Sequence, residues 1–249
     1  MPRYKLTLEY DGTGLVGWQR QTTGPSVQQF LEEALVKLAG RRTEIAAAGR
    51  TDAGVHATGQ VVHVDVDKDL KPEAVCNGLN YWLRGEEGAS SVIVLAAELA
   101  PEGFHARFSA VGRQYLYRIS NRRAGPVLEA NRVWWVPKPL NAEAMHEAAQ
   151  RLVGHYDFTS FRSIECQAQS PMKTMDRLDV VRVGDEIRIV AASRSFLHHQ
   201  VRNMVGTLKL VGDGKWNADR VTQVLQARDR SVAGPTAPPY GLYLTGVSY

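Results

Sequence analysis

The sequence predicts an α+β protein of two split-βαβ lobes, their antiparallel sheets side by side with a cleft between them. Three observations predict it. The first apolar segment alternates as a half-buried antiparallel strand does, and segments of period two and period 3.6 follow in the order β-α-β-β-α-β over residues 1–100. A comparable succession starts again at Ser109, although no residue-level repeat accompanies it. The junction falls at Ala100-Pro101-Glu102-Gly103, which divides the chain into lobes over residues 1–100 and 104–249.

Taken in order, Tyr4, Leu6, Leu8 and Tyr10 alternate with Lys5, Thr7 and Glu9, giving the first strand one apolar face. Ser26 can cap a helix with Gln29 at the capping-box position, and Val27, Leu31, Leu35 and Leu38 form an apolar stripe that Gly40 ends. Strands are expected over 44–49 and 60–67, a helix over 72–83, and a strand over 91–97. In the second half, strands over 111–120 and 132–136 precede a helix over 141–153. A hairpin turns at Gly184-Asp185 between strands 178–183 and 187–192; helices over 196–210 and 218–227 lead to a last strand over 242–249. This order puts both helices of the first lobe on one face of its sheet and leaves the other face open. Two open sheets side by side leave a cleft, a common place for a ligand.

A chain of 249 residues with 44% hydrophobic residues has enough apolar surface for a real core. Met1-Pro2-Arg3-Tyr4-Lys5 carries no apolar signal region and the strongly apolar stretch 92–97 is too short to span a bilayer, so a cytoplasmic location is expected. Cys76 and Cys166 lack C-x-x-C spacing, which argues against a disulfide framework or structural zinc and for buried thiols. The formal charge of +4 is modest, but arginine dominates the cations. It occurs as Arg41-Arg42 and Arg122-Arg123, and as Arg107, Arg113 and Arg118 near Tyr115 and Tyr117. Arginine forks onto phosphate and stacks on bases, so the pattern suits RNA; a solvated strand face gives the same pattern, and composition weighs the two equally.

The chemistry is expected in Ala48-Gly49-Arg50-Thr51-Asp52-Ala53-Gly54-Val55-His56. If residues 45–51 are extended, Arg50 and Asp52 point to one side and Thr51 to the other. A nearby guanidinium keeps a carboxylate ionised, and an anionic aspartate in a closed site is what a nucleophile or base requires. Alone, R-x-D-x-G reads better as a surface turn. Other motifs lead elsewhere and fail on context. Gly12-Thr13-Gly14-Leu15-Val16-Gly17 fits G-x-G-x-x-G but is followed by Trp18-Gln19-Arg20-Gln21, not by a helix. Asp65 and Asp67 resemble the aspartate pair of a metal-dependent phosphatase, yet the alternation puts them on the outward face of a strand. Asp52-Ala53-Gly54 lacks the hydroxyl residue expected of an aspartic protease. His198 and His199, as neighbours on a helix, would diverge by roughly 100° and not share a metal with His56 and His63.

The opening segment has company. Tyr10-Asp11-Gly12, Gly17-Trp18-Gln19-Arg20-Gln21, Gly49 to His56 with Gly59-Gln60-Val61-Val62-His63, and Phe104-His105-Ala106-Arg107-Phe108-Ser109-Ala110 stand in order. Arg113-x-Tyr115-x-Tyr117, Asp157-Phe158-Thr159-Ser160-Phe161-Arg162, the run from Phe196 to Gly206, and Gly241-Leu242-Tyr243-Leu244 follow. Together they resemble the tRNA pseudouridine synthase A family along nearly the whole chain. Two departures are visible: a glycine-rich stretch over 84–90 replaces a proline and short loop, and Gln200 stands where the family's helix more often has an apolar residue.

The resemblance implies isomerisation of uridine to pseudouridine at positions 38, 39 and 40 of the tRNA anticodon stem-loop, with no metal and no redox or small-molecule cofactor. It makes Asp52 the catalytic aspartate, leaving open attack at C1′, attack at C6, or proton abstraction from the sugar. Arg202 becomes the partner of Asp52, beside the buried helix face of Leu197, Val201, Met204, Val205 and Leu208. Tyr115 stacks on the target base, Leu242 lines the uracil pocket, and Arg50 acts in base flipping, which costs a few kcal/mol. It also implies a homodimer whose subunits share the RNA cleft. The rival reading is a noncatalytic RNA-binding module of the split-βαβ type.

Overall fold

The computed structural model describes residues 1–85 and 90–249, so the expected 84–90 loop lies largely outside the described residues. The chain forms two compact units, Met1–Val111 with Tyr243–Tyr249, and Gly112–Leu242.

The first unit contains β1 (Arg3–Tyr10), α1 (Val27–Ala39), β2 (Ile45–Ala47), β3 (His56–Asp65), α2 (Pro72–Leu83) and β4 (Val92–Leu99). This is the expected β-α-β-β-α-β order. β1 lies between β4 and β3, antiparallel to both. The other edge of β3 is divided. β2 pairs antiparallel with its end, Ile45 opposite Val64 and Ala47 opposite Val62. The chain's last strand, β10 (Leu242–Ser248), runs parallel to its start, with Tyr243 opposite His56 and Leu244 opposite Ala57. Gly59 permits this pairing, because a Cβ there would stand 2.5 Å from the Thr245 carbonyl oxygen. As a central strand β3 is apolar on both faces, and Val61, Val62 and Val64 are buried. β1 keeps its alternation: Tyr4, Leu6, Leu8 and Tyr10 are buried while Glu9 is exposed.

α1 begins and ends where its sequence says. Ser26 Oγ accepts the Gln29 N–H at 3.3 Å, and Gly40, at φ 81°, ends the helix with its N–H on Val36 O. Only half of the capping box forms, because the Gln29 amide donates forward to Glu33 Oε1 at 3.0 Å. Val27, Leu31 and Leu35 are buried, each leucine contributing about 1.5–3 kcal/mol by leaving water. α2 starts at Pro72, where a missing N–H costs nothing, and buries Val75, Leu79 and Leu83. Gly78 lets it approach α1 closely, since a Cβ would sit 2.7 Å from Leu38 Cδ1.

The second unit contains β5 (Gly112–Ser120), β6 (Trp134–Trp135), α3 (Ala142–Gln150), β7 (Gly154–Asp157), β8 (Met172–Val183), β9 (Glu186–Ser193), α4 (Gln200–Gly212) and α5 (Ala218–Ala227). Its strands run β5-β9-β8-β7, all antiparallel, with β6 parallel to the end of β5. The β8–β9 hairpin turns at Gly184-Asp185 as expected, Gly184 supplying φ 58°.

Four expectations are corrected here. The strand expected over 132–136 shrinks to Trp134–Trp135. The helix expected from 196 begins at Gln200, because His199 is left-handed at φ 62° and Gln200 Oε1 takes the Leu197 N–H at 2.8 Å. The premise that His198 and His199 diverge on a helix therefore fails; their rings lie 4.0 Å apart ahead of it. Both thiols are half-buried and not fully buried: Cys76 Sγ donates to Val94 O and Cys166 Sγ accepts the His198 N–H. Among the described residues, no helix is long and apolar enough to cross a membrane.

Candidate active site

β2 ends at Ala47, so the segment expected to stay extended through Thr51 leaves the sheet early. The alternation survives in burial all the same. Thr51 is 7% exposed, Arg50 is exposed and Asp52 is half-buried. Distant residues hold this loop. Thr51 Oγ1 bonds the Tyr10 hydroxyl at 2.8 Å, and Trp18 N–H donates to Thr51 O at 3.0 Å. The Gln60 amide donates to Gly49 O at 2.8 Å from a site that is fully buried.

Gly17 passes directly beneath Asp52. At φ 99°, a Cβ there would meet Thr51 O at 2.7 Å and the Asp52 carbonyl carbon at 3.0 Å. Gly12 is under a similar constraint from Val55 O, at 2.2 Å. The turn closes with Val55 N–H on Asp52 O at 3.2 Å and Gly54 at φ 76°. Two glycines of the dinucleotide-like pattern, Gly12 and Gly17, thus have a use: they let one loop pack backbone to backbone against the aspartate's loop. Burial pushes the Tyr10 phenol up to about 12, against the opposing bonds from Thr51 and Gln60. Tyr10 is therefore neutral at working pH and acts as a strut, not a base.

In the second unit Tyr115 is half-buried on β5 opposite Ala191, with its ring edge-on to Phe196 at 5.1 Å. Its neighbour Tyr117 is fully buried, and its hydroxyl donates to Pro238 O at 2.8 Å. Gly241 packs on that ring, where a Cβ would come within 2.7 Å, so Tyr117 fixes the turn that leads into Leu242. Leu242 is buried at 5% exposure. Arg202 is half-buried on the first turn of α4 beside the buried face of Val201, Met204, Val205 and Leu208. Its Nε donates to Ala237 O at 2.8 Å, and Ala237 N–H returns to Arg202 O at 3.1 Å. That segment reaches the helix because Gly206 bears no side chain; a Cβ there would stand 1.7 Å from Pro235 O.

Two histidines weighed as metal ligands are committed to backbone. His56 Nδ1 accepts the Gly12 N–H at 3.0 Å, and His63 Nδ1 accepts the Ala106 N–H at 3.1 Å. Arg118, grouped at first with cations available to RNA, is held between Glu186 and Glu129. The aspartate pair of the phosphatase pattern is likewise occupied: Asp65 forks onto Arg3, whose bond holds its carboxyl below the usual range, and Asp67 lies 3.3 Å from Arg41.

The sequence profile of the family described as tRNA pseudouridine synthase matches residues 7–109 and 148–249, which includes the Asp52 loop, α4 and β10. This chain belongs to that family. Its relatives match along the full length. A tRNA pseudouridine synthase A of Paramagnetospirillum magneticum is 64% identical over 249 residues, covering 100% of this chain and 96% of its own. Proteins of the same name from Rhodospirillum centenum and Rhodopseudomonas palustris are 59% and 57% identical, with 100% of both chains covered. Membership makes the protein an enzyme, an isomerase.

The sequence pattern alone gives no task to Tyr10, Gly12, Gly17 or Gln60, whose partners lie far along the chain. A usable signal existed for Gln60: a long polar side chain inside the apolar run of β3 needs a buried partner, and the Gly49 carbonyl is that partner.

Proposed function

We propose that this enzyme converts uridine to pseudouridine in tRNA, at positions 38, 39 and 40 of the anticodon stem-loop, with Asp52 as the catalytic nucleophile. The N1–C1′ bond breaks, the uracil turns within the site, and a C5–C1′ bond forms. The C5 proton leaves and N1 gains one, so the reaction is a balanced isomerisation.

The observation that carries the reading is the Asp52 loop. Thr51 is anchored inward by Tyr10 and Trp18, and Gly17 backs the peptide, so the half-buried carboxylate is held on a loop with little freedom. A nucleophile fixed in place saves the entropy of positioning it during reaction. Arg202 is assigned to hold the carboxylate ionised, in keeping with its half-buried place and the backbone tether at Ala237. Tyr115 offers a half-buried ring for the target base and Leu242 an apolar wall for the uracil. Arg50, exposed two residues before Asp52, takes the space the flipped nucleotide leaves or its phosphate. Action on neighbouring uridines implies recognition by shape and backbone charge, and a homodimer working in the cytoplasm completes the proposal.

The test is tritium release from tRNA labelled at uridine C5. Wild type should release it, and Asp52→Asn should release none while binding tRNA within about tenfold, a difference under about 1.4 kcal/mol. Turnover by Asp52→Asn near the wild-type rate removes the nucleophile assignment. Tight binding by wild type with no release favours the noncatalytic module.

A further inference from the structure

The turn over residues 104–109 carries an exposed ring that the proposed chemistry does not use. Phe108 is 73% exposed, and the turn holding it is unusually well bonded for a surface loop. The N–H groups of Arg107 and Phe108 both donate to His105 Nδ1, at 3.1 and 3.3 Å. His105 N–H donates to Ser109 Oγ at 3.0 Å, and Ser109 N–H to His105 O at 2.9 Å. Ala106 is fixed from two sides, its N–H on His63 Nδ1 at 3.1 Å and its carbonyl receiving the Tyr249 hydroxyl at 2.9 Å. A lone exposed ring marks nothing by itself; Phe108 is set apart by its bonded mount and by the guanidinium beside it.

The rings behind it form a column that passes through the core from Tyr249 to Phe108. Tyr249 and Phe104 lie 4.8 Å apart, Phe104 and His63 6.3 Å, His63 and His105 4.6 Å, and His105 and Phe108 4.4 Å. Phe104 and His63 are buried, His105 is half-buried, and Tyr249 and Phe108 are the exposed ends, Phe108 the more exposed. Cations flank both ends: the Arg107 guanidinium stands 5.6 Å from the Phe108 ring, and Lys5 Nζ, paired with Glu98 at 2.8 Å, stands 5.0 Å from that of Tyr249. A ring with a guanidinium beside it suits a base and its phosphate, and suits an aliphatic protein surface poorly.

We propose that Phe108 and Arg107 form a second nucleotide site, at which an unpaired base of the bound tRNA stacks on Phe108 while Arg107 meets its phosphate. The inference rests on the reading that tRNA is the substrate. The site is mechanically tied to the catalytic loop. Ala48, four residues before Asp52, shares a buried cluster with Val61, Phe104 and Ala106, so a base stacked on Phe108 orients RNA relative to that loop. Stacking is indifferent to base identity, so this site adds grip without sequence preference.

The experiment measures tRNA affinity across a salt series, with tritium release alongside, for wild type, Phe108→Ala, Phe108→Trp and Arg107→Gln. Phe108→Ala should bind about tenfold more weakly, the loss expected of one base–aromatic stack, with its salt slope unchanged because a ring carries no charge. Phe108→Trp should restore affinity to within about twofold, and Arg107→Gln should lower the salt slope by about one. Wild-type affinity in Phe108→Ala, or equal losses in the alanine and tryptophan variants, overturns the stacking site while leaving the tRNA reading intact. Absence of tRNA binding and of tritium release in wild type removes the tRNA reading and the second site with it.

Discussion

A single glycine shows most directly how this chain builds its chemistry. Gly17 and Gly14 both have positive φ, 99° and 76°, but only Gly17 faces a neighbour, the Thr51–Asp52 peptide; a Cβ at Gly14 meets nothing within 4 Å. An alanine at either position bears the cost of a left-handed conformation, of order 1 kcal/mol. At Gly17 it must also push away the peptide of Asp52, the proposed nucleophile, and sub-ångström placement of a reacting group governs rate steeply. Gly17→Ala is therefore expected to lower the turnover number at least tenfold, and Gly14→Ala to lower thermal stability with turnover near wild type. Tritium release and melting curves on the two variants check this. Equal turnover in both would show that Gly17 matters only for folding. Local pattern could not reveal the role: Gly17 stands in a misleading dinucleotide motif, and its contact lies more than thirty residues along the chain.

Among elements, those governed by local rules were readable and those governed by distant contacts were not. α1, α2 and α5 carry their own punctuation, Ser26 and Gly40, Pro72, and Asn217, and each falls where its sequence puts it. β2 stops at Ala47 because tertiary bonds to Thr51 and Gly49 override periodicity, whereas α4 waits until Gln200 for a local reason that periodicity does not register, the left-handed His199 and the Leu197 N–H on Gln200 Oε1. The candidate site follows the same division: the resemblance assigns a role to Asp52, but none to the buried Tyr10 and Gln60 that hold its loop. The junction of β3 with the 104–109 turn yields a pH prediction. Burial pushes the His63 imidazole below its ordinary range, with Arg3 and His105 adding to the effect, and its Nδ1 must stay unprotonated to accept from Ala106. Because the folded value lies below the unfolded one, the unfolded chain binds more protons at low pH. The stability from His63 is present above about pH 6.5 and is lost as pH falls through the lowered folded value. Denaturant melts should weaken from pH 7 to pH 5, and His63→Gln, which offers an acceptor without a charge, should flatten that decline. Superimposable pH profiles would remove His63 as its source.

For the molecule as a whole, the decisive fact is that the chain leaves its first unit at Val111 and re-enters it at Tyr243. β10 pairs with His56 and Ala57, just after the Asp52 loop, and buries Leu244 completely. The Tyr249 hydroxyl closes on Ala106, and Val247 packs against the cluster that holds Ala48. Residues 1–111 therefore lack part of their own sheet and core until residues 243–249 arrive, which defers completion of this unit until the whole second unit has been made. A chain ending at Leu242 retains Asp52, Arg50, Tyr115, Arg202 and Leu242, yet leaves the first half of β3 with an open edge. Loss of the buried Leu244 alone is worth about 2–5 kcal/mol, much of the stability of an ordinary domain. The truncated chain is expected to melt well below the full chain and to release no tritium. A synthetic peptide of residues 243–249 should raise its melting temperature in a concentration-dependent way, as binding to the folded form requires. Should the truncated chain melt with the full one, β10 would be an appendage to the first unit and the dependence of the Asp52 loop on it would fall.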